Sequence, residues 1–151
     1  MNQLTIMYYK SIFIQIKRGN NRGVFSNAKP LFIISIIDYI SKGFIKDNVF
    51  EYPIKPVELI YSKNFQQYAP NEKRTPFYMP FYHLSSENFW HLKWNDDNKK
   101  LIAHSPSAKF LRENVKYASF DNALWDLLQD ADARSVLRKA VINHFLTPKN
   151  K

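Results

Sequence analysis

The chain has 151 residues, of which 45% are hydrophobic and 23% charged, a composition that favours one folded domain with a real core over a disordered chain. It has no cysteine, which excludes disulfide bonds and cysteine-ligated zinc and fits a cytoplasmic protein. The 22 Lys and Arg residues outnumber the 13 Asp and Glu residues and give a net charge of +9. Such an excess favours a polyanionic partner, nucleic acid first and an anionic membrane surface second.

Two apolar segments need to be separated from targeting or membrane segments. The first residues, MNQLTIMYYKSIFIQIKRGN, are interrupted by Lys10 and lack a small-residue cleavage site, so they do not fit a signal peptide. The longest apolar run, PLFIISIIDYI, is short and carries Asp38, so it does not fit a membrane span. We therefore expect a cytoplasmic protein that is not a membrane protein.

The first part of the chain predicts two helices. One runs from about Leu4 to Lys17 and ends in KRGNNRG, where glycines give the chain freedom to turn. The next begins in SNAKP, with Ser26 or Asn27 as the N-cap and Pro30 in the first turn, and ends at Gly43. Because this second helix is apolar nearly all round, it is predicted to be the central core helix.

The middle of the chain is rich in proline and aromatic residues. PVELIYSKNFQQY predicts a short helix with Pro56 at its start, and APNEKRTP predicts an exposed loop. FYHLS and FWHLKW have strand composition with SEN between them as a turn, which predicts an antiparallel hairpin. In the second strand Trp90, Leu92 and Trp94 would face the core, and LIAH is a candidate third strand.

The last third predicts helices. SAKFLRENVKYA follows a helix start at Ser105 and Pro106, and FDNALWDLLQD follows Asp121 as a candidate cap. In DADARSVLRKAVINHFL one apolar stripe combines Val136, Leu137, Ala140, Val141 and Phe145. The predicted fold class is α+β, a helix-dominated single domain with a small antiparallel β-sheet or hairpin. The side chains expected to pack rather than function are Trp90, Trp94, Leu124 and Trp125.

Catalytic chemistry has little support in the sequence. The histidines, at positions 83, 91, 104 and 144, show no HExxH spacing, and we expect no metal or other cofactor. Asp97 and Lys99 form a D-x-K arrangement that metal-dependent nucleases use with an upstream carboxylate, here Glu87. Because this triplet falls in a predicted turn, we do not expect the chain to be an enzyme by itself.

Nucleic-acid binding has two separate indications. Lys17, Arg18 and Arg22 surround the Asn/Gly turn and Lys29 begins the next helix, an arrangement that suits phosphate oxygens but also fits a solvated basic loop. The aromatic stretch YMPFYH follows the basic loop and suits contact with sugar, base or an unusual backbone atom, although a core strand with an edge proline fits it equally. The candidate DNA-binding residues are Lys17, Arg18, Arg22, Lys29, Lys73, Arg74, Tyr78, Met79, Pro80, Phe81 and His83.

Three stretches in order, NAKPLFIISIIDYISKG, TPFYMPFYHLSSENFWHL and FLRENVKYASFDNALWDLLQDADARSVLRKAVINHFL, resemble the N-terminal recognition domain of HNH-type restriction endonucleases. That domain is similar to the sulfur-binding domain of type IV restriction enzymes, which recognises phosphorothioate-modified DNA. The resemblance runs from about Tyr8 to Leu146 and implies a sulfur pocket around a proline, here Pro80, with Met79 before it and His83 close by. It also implies that Lys29 holds the phosphate charge, although Ala28 precedes it where the family often has histidine.

The resemblance implies a DNA-binding module of a restriction or defence system, with double-stranded DNA, either unmodified or phosphorothioate-modified, as its partner. We expect residues 1–151 to form the recognition domain with no nuclease domain, so that a separate nuclease subunit is a second expected partner. Two alternatives remain open, a small metal-dependent nuclease that uses Glu87, Asp97 and Lys99, and a protein-interaction subunit of a restriction system whose basic face docks an acidic protein.

Overall fold

The computed structural model describes residues 3–96 and 106–147. The helices are α1 (Gln3–Ile14), α2 (Ala28–Ser41), α3 (Lys55–Tyr68), α4 (Tyr78–His83), α5 (Ala108–Asn114), α6 (Asn122–Leu127) and α7 (Ala131–Val141). The strands are β1 (Asn20–Asn21), β2 (Val24–Phe25), β3 (Trp90–Trp94) and β4 (Val115–Phe120). A 3-10 turn at Leu84–Ser86 follows α4, and a π-helical turn at Ile142–Leu146 follows α7. The predicted helix-dominated α+β fold is confirmed.

Helix α2 is the centre of the core, as its apolar composition predicts. Nearly all of its side chains from Ala28 to Ile37 are buried, and the flanking helices α3, α4 and α7 pack against it. Pro30 lies in the first turn, where an amide hydrogen has no partner inside the helix. After α2 the chain turns at Gly43, whose φ of +80° is a left-handed conformation that glycine adopts at little cost.

A polar network crosses this apolar core and joins three helices. The Arg138 guanidinium in α7 donates to Asp38 in α2 at 2.7 Å. The Asn64 amide in α3 donates to the Ser35 hydroxyl at 3.0 Å and to Asp38 at 3.1 Å. Because each buried polar group in this network has a partner, the polar atoms do not weaken the core.

The aromatic stretch before β3 is helical, so the predicted strand at FYHLS is wrong. Phe77, Phe81 and Leu84 recur at intervals of four and three residues, and all three are buried. That is the spacing of one helix face, which buries these three large side chains together, whereas the alternation of a strand would place Leu84 on the opposite face from Phe77 and Phe81. Aromatic composition suggested a strand because aromatic residues favour both strands and buried helix faces.

Strand β3 forms where it was predicted, but its partner is β4 rather than the preceding segment. The antiparallel register pairs Trp90 with Phe120 and Leu92 with Ala118, with an irregularity after Lys93. The predicted helix SAKFLRENVKYA therefore ends at Asn114, because the residues after it pair with β3 and bury Val115, Ala118 and Phe120.

The packing predictions for the second half are largely confirmed. Trp90 and Leu124 are fully buried, while Leu92, Trp94 and Trp125 are half-buried against the core. Phe89, which directly precedes β3, is also buried. Val136 is 39% exposed, so it lies at the edge of the apolar stripe of α7 rather than inside it.

Asp121 precedes α6 as predicted but does not cap it with its side chain. The carboxylate accepts bonds from the Tyr9 hydroxyl at 2.9 Å and the His91 ring at 2.6 Å, so it joins α1 to β3. The candidate strand LIAH lies outside the described residues. In the part of the chain that the structure describes, none of the helices combines the length and apolar character that spanning a membrane requires.

Candidate functional site

A groove of about 450 Å³ opens where the segment after α1, the start of α2 and helix α4 meet. Six of the predicted DNA-binding residues line it, and we refer to this cavity as the basic groove: Lys17, Arg18, Lys29, Met79, Pro80 and His83. These residues come from three segments that are far apart in sequence. The fold therefore brings the cations around the Asn/Gly turn and at the start of α2 next to the apolar side chains of Met79 and Pro80.

Two polar contacts hold the walls of the basic groove together. Glu72 accepts bonds from the backbone amide and the side-chain amide of Asn27 at 3.2 and 3.0 Å, which ties the loop before α4 to the start of α2. The Tyr61 hydroxyl donates to the carbonyl of Thr75 at 2.8 Å, and Thr75 lines the groove. The Glu72 carboxylate thus takes one of the amides at the α2 N-terminus that were expected to suit phosphate.

Helix α4 supplies the apolar part of the groove. Met79 is half-buried and Pro80 is buried, and both line the cavity. Phe81 does not belong to this surface, because its side chain is fully buried and its ring lies against Trp90 and Phe32 in the core. In this structure Phe81 therefore presents no exposed side-chain surface for the predicted contact with DNA, and the residue supports the groove from inside. Tyr78 is half-buried and does not line the cavity.

Lys29 has the most defined position among the cations of the groove. Its ammonium donates to Glu87 Oε2 at 3.0 Å and to the Ser86 hydroxyl at 3.3 Å. The Lys29 and Glu87 side chains are only 13% and 14% exposed. The backbone amide of Lys17 donates to the same Glu87 oxygen at 3.1 Å. Two donors from different segments thus converge on one carboxylate oxygen at the edge of the groove.

Arg18 is held by its neighbours rather than projected into solvent. Its guanidinium donates to Asn27 Oδ1 at 3.0 Å and lies over the rings of Phe25 and Phe145, 4.9 and 4.7 Å from their centroids. Burial lowers the pKa of Arg18 from its ordinary value, but an arginine this basic keeps its charge at neutral pH. Arg18 therefore joins the β1–β2 hairpin to the C-terminal helix while it adds charge to the groove.

The remaining predicted cations flank the groove instead of lining it. Arg22 is exposed at the tip of the β1–β2 hairpin, in a left-handed conformation with φ of 54°. Gly23 follows it with φ of +85°, and its amide donates to Asn20 at 2.8 Å, which is the geometry of a tight two-residue hairpin. Lys73 and Arg74 are exposed in the loop that leads to α4.

His83 gives the groove a titratable group. Burial, and then the nearby charge of Lys29, lower the pKa of His83 from its ordinary value of 6.5. The imidazole is therefore mainly neutral at pH 7, because burial first and the Lys29 charge second disfavour its charged form. His83 belongs to α4, whereas His91 lies in β3 and is bonded to Asp121.

The nuclease alternative finds no assembled site in the described structure. Asp97 and Lys99 lie outside the described residues, and Glu87 forms an ion pair with Lys29. Within residues 3–96 and 106–147, no group of three or more histidine or acidic side chains is placed to hold a metal ion.

Sequence reasoning missed several groups at the groove, of which Glu87 is the most consequential. Glu87 is bonded to Lys29 beside the groove, whereas Gly19, Ser26, Thr75 and Ser86 line the cavity itself. Small or hydroxyl residues in loops carry no local signal of such a role. The chain matches no model of a known protein family, and no curated protein is similar to it in sequence at a significant level.

Proposed function

We propose that this chain is a DNA-binding module whose basic groove holds a backbone phosphate and favours a phosphorothioate linkage. The observation that carries the proposal is the meeting of three cationic side chains with apolar groups around one open groove. If the cations belonged only to a solvated basic loop, no apolar wall would be expected beside them. If the aromatic stretch YMPFYH served only the core, no cations would be expected beside it.

The two halves of the groove suit different parts of a modified phosphate. Lys17, Arg18 and Lys29 suit the negative charge, while Met79 and Pro80 suit a sulfur atom, which is larger than oxygen and a weaker hydrogen-bond acceptor. Apolar contact contributes about 25 cal/mol per Å², so a shallow contact discriminates by only about 1–2 kcal/mol. Most of the affinity must therefore come from the cations.

The resemblance to the recognition domains of HNH-type restriction endonucleases supports this function and gives it a setting. We place the module in the cytoplasm, in a restriction or defence system, with double-stranded DNA as its main partner. In that setting the cleavage of modified DNA belongs to a nuclease subunit with which this chain acts.

The test is a binding titration on two short duplexes that differ only in one stereodefined phosphorothioate linkage, each measured at several salt concentrations. We expect tighter binding to the modified duplex at every concentration, because the apolar contribution does not depend on counterion release. If the cations of the groove neutralise about three phosphates, log K falls against log salt with a slope of about −3 for both duplexes.

Either of two results would contradict the proposal. Equal binding to both duplexes would leave a general DNA-binding protein without sulfur recognition. Absence of binding at about 50 mM salt, where phosphate contacts are strong, would exclude the DNA-binding function and favour the alternative of a protein-interaction subunit.

A further inference from the structure

Glu87 lies where a bound phosphate would find its donors. Its Oε2 atom accepts from the Lys29 ammonium at 3.0 Å and from the Lys17 backbone amide at 3.1 Å. An ammonium and a backbone amide that converge on one anionic oxygen are the donors that proteins commonly use to hold a phosphate oxygen. The carboxylate therefore identifies an anion subsite at the edge of the basic groove.

We propose that Glu87 is a built-in competitor for this subsite, and that a phosphodiester oxygen displaces its carboxylate when DNA binds. The inference rests on the proposed function and deepens it, because it names the position of the phosphate and the group that opposes its binding. Glu87 then lowers the affinity for every backbone phosphate alike, while Met79 and Pro80 provide the preference for sulfur.

The geometry of Glu87 suits a carboxylate that leaves its partners. Both bonds converge on one oxygen, Oε2, and the residue follows the 3-10 turn in an extended conformation. Its backbone stays fixed, because its amide donates to the carbonyl of Leu84 at 2.9 Å. Rotation about the side-chain bonds can therefore move the carboxylate out of the subsite without moving the chain.

Glu72, which is bonded to the residue before α2, provides the contrast. It uses Oε1 for the side chain of Asn27 and Oε2 for the backbone amide of the same residue. A carboxylate that holds one residue through both oxygens acts as a clamp that fixes the start of α2. Glu87 instead accepts both bonds, from an ammonium and from a backbone amide, through one oxygen. A bound ligand anion could accept the same two bonds.

Two measurements on Glu87→Gln test the inference. The first is affinity for an unmodified duplex, which we expect to rise about three- to tenfold, the change for removing a competing contact of roughly 1 kcal/mol. The matched control is Glu58→Gln, which removes the same charge from an exposed ion pair with Lys55 in α3. The control is expected to change affinity by less than about twofold, because its charge is screened by solvent.

The second measurement does not depend on DNA. The Lys17 amide resonance is followed by NMR while dimethyl phosphate, a small phosphodiester, is added to the full chain. We expect this resonance to shift on addition, and to shift at lower concentration in Glu87→Gln than in the wild type or Glu58→Gln.

The outcomes separate the inference from the proposed function. A shift of the Lys17 resonance without DNA binding would support the anion subsite and overturn the DNA-binding function. DNA binding with equal affinities for Glu87→Gln and Glu58→Gln and an unmoved Lys17 resonance would overturn the inference alone. Weaker DNA binding by a folded Glu87→Gln protein would also overturn it, because Glu87 would then hold Lys29 in position rather than compete with the ligand.

Discussion

Pro80 and Phe81 are neighbours in α4, yet their side chains have different surroundings. Pro80 is buried and lines the basic groove, whereas Phe81 packs against the ring of Trp90 in the core. The backbone of Phe81 also matters, because its carbonyl accepts a bond from the Trp90 indole at 2.9 Å. One turn of helix therefore joins the wall of the groove to the centre of the core.

Replacing Pro80 tests the apolar wall of the groove. Pro80→Ala removes the ring that faces the cavity and leaves the cations in place, so the preference for the phosphorothioate duplex should fall by up to about tenfold. Affinity for the unmodified duplex should stay nearly constant in a titration on both duplexes. The control is Pro70→Ala, in the exposed loop before α4. Equal losses of affinity for both duplexes would show that Pro80 does not contact the sulfur atom.

His83 predicts a pH dependence of DNA binding. Because its pKa lies below 6.5, the imidazole is neutral at pH 7 and becomes a cation as the pH falls through that pKa. The added positive charge faces the groove, so DNA affinity should rise on acidification, by about fivefold for a contact of roughly 1 kcal/mol. Titrations between pH 7.5 and 5.5 at constant ionic strength measure this effect.

Two variants show whether His83 causes that pH dependence. His83→Gln should flatten the rise, whereas His144→Gln, in the π-helical turn after α7, should retain it. An unchanged rise in His83→Gln would assign the effect to other groups.

At the scale of the elements, α4 is short but has two roles. Its core side is continuous with Phe77 before it and Leu84 after it, all buried. Its outer side carries Met79, Pro80 and His83 into the groove. Since core packing fixes the rotation of the helix, it also fixes which side chains the groove receives.

Phe81→Ala should therefore destabilise the fold rather than alter recognition directly. Removal of a fully buried phenyl ring costs about 3–5 kcal/mol, which urea unfolding followed by fluorescence can measure. Phe44→Ala is the matched control, because the Phe44 side chain is 78% exposed and should change the unfolding free energy by less than about 0.5 kcal/mol. A small loss for Phe81→Ala would contradict its place in the core.

At the scale of the whole molecule, several carboxylates serve internal contacts while many cations remain at the surface. Asp38, Glu72, Glu87 and Asp121 each accept a hydrogen bond from a residue distant in sequence. Two of them, Asp38 and Glu87, pair with the cations Arg138 and Lys29, so the rest of the molecule keeps the excess of cations that gives a net charge of +9. That distribution suits a polyanionic partner.

Asp38 illustrates the cost of losing one of these internal carboxylates. Asp38→Asn should lower the unfolding free energy by about 2 kcal/mol, because the half-buried Arg138 guanidinium loses its charged partner and Asn64 loses an acceptor. Urea unfolding measures the change, with the exposed Asp47→Asn as control. Equal stability of the two variants would show that solvent replaces the Asp38 contact.

The sequence by itself determined the positions of α1, α2, α3 and β3, because apolar periodicity, prolines and glycines act over neighbouring residues. It also indicated the two residue sets that meet in the basic groove, since cations and apolar residues can be recognised from their chemistry alone. It did not determine that YMPFYH is a helix, because aromatic composition is compatible with both a strand and a buried helix face.

The tertiary structure alone decided which partners meet. β3 pairs with β4 because Trp90 and Phe120 are buried in the same core. The segment FYHLS is closer in sequence to β3, but closeness in sequence does not decide strand pairing once that core has formed. In the same way Glu87 meets Lys29, 58 residues away, because α4 packs on α2 and carries the following turn to the edge of the groove. Such contacts depend on the packing of distant elements, which local sequence patterns do not encode.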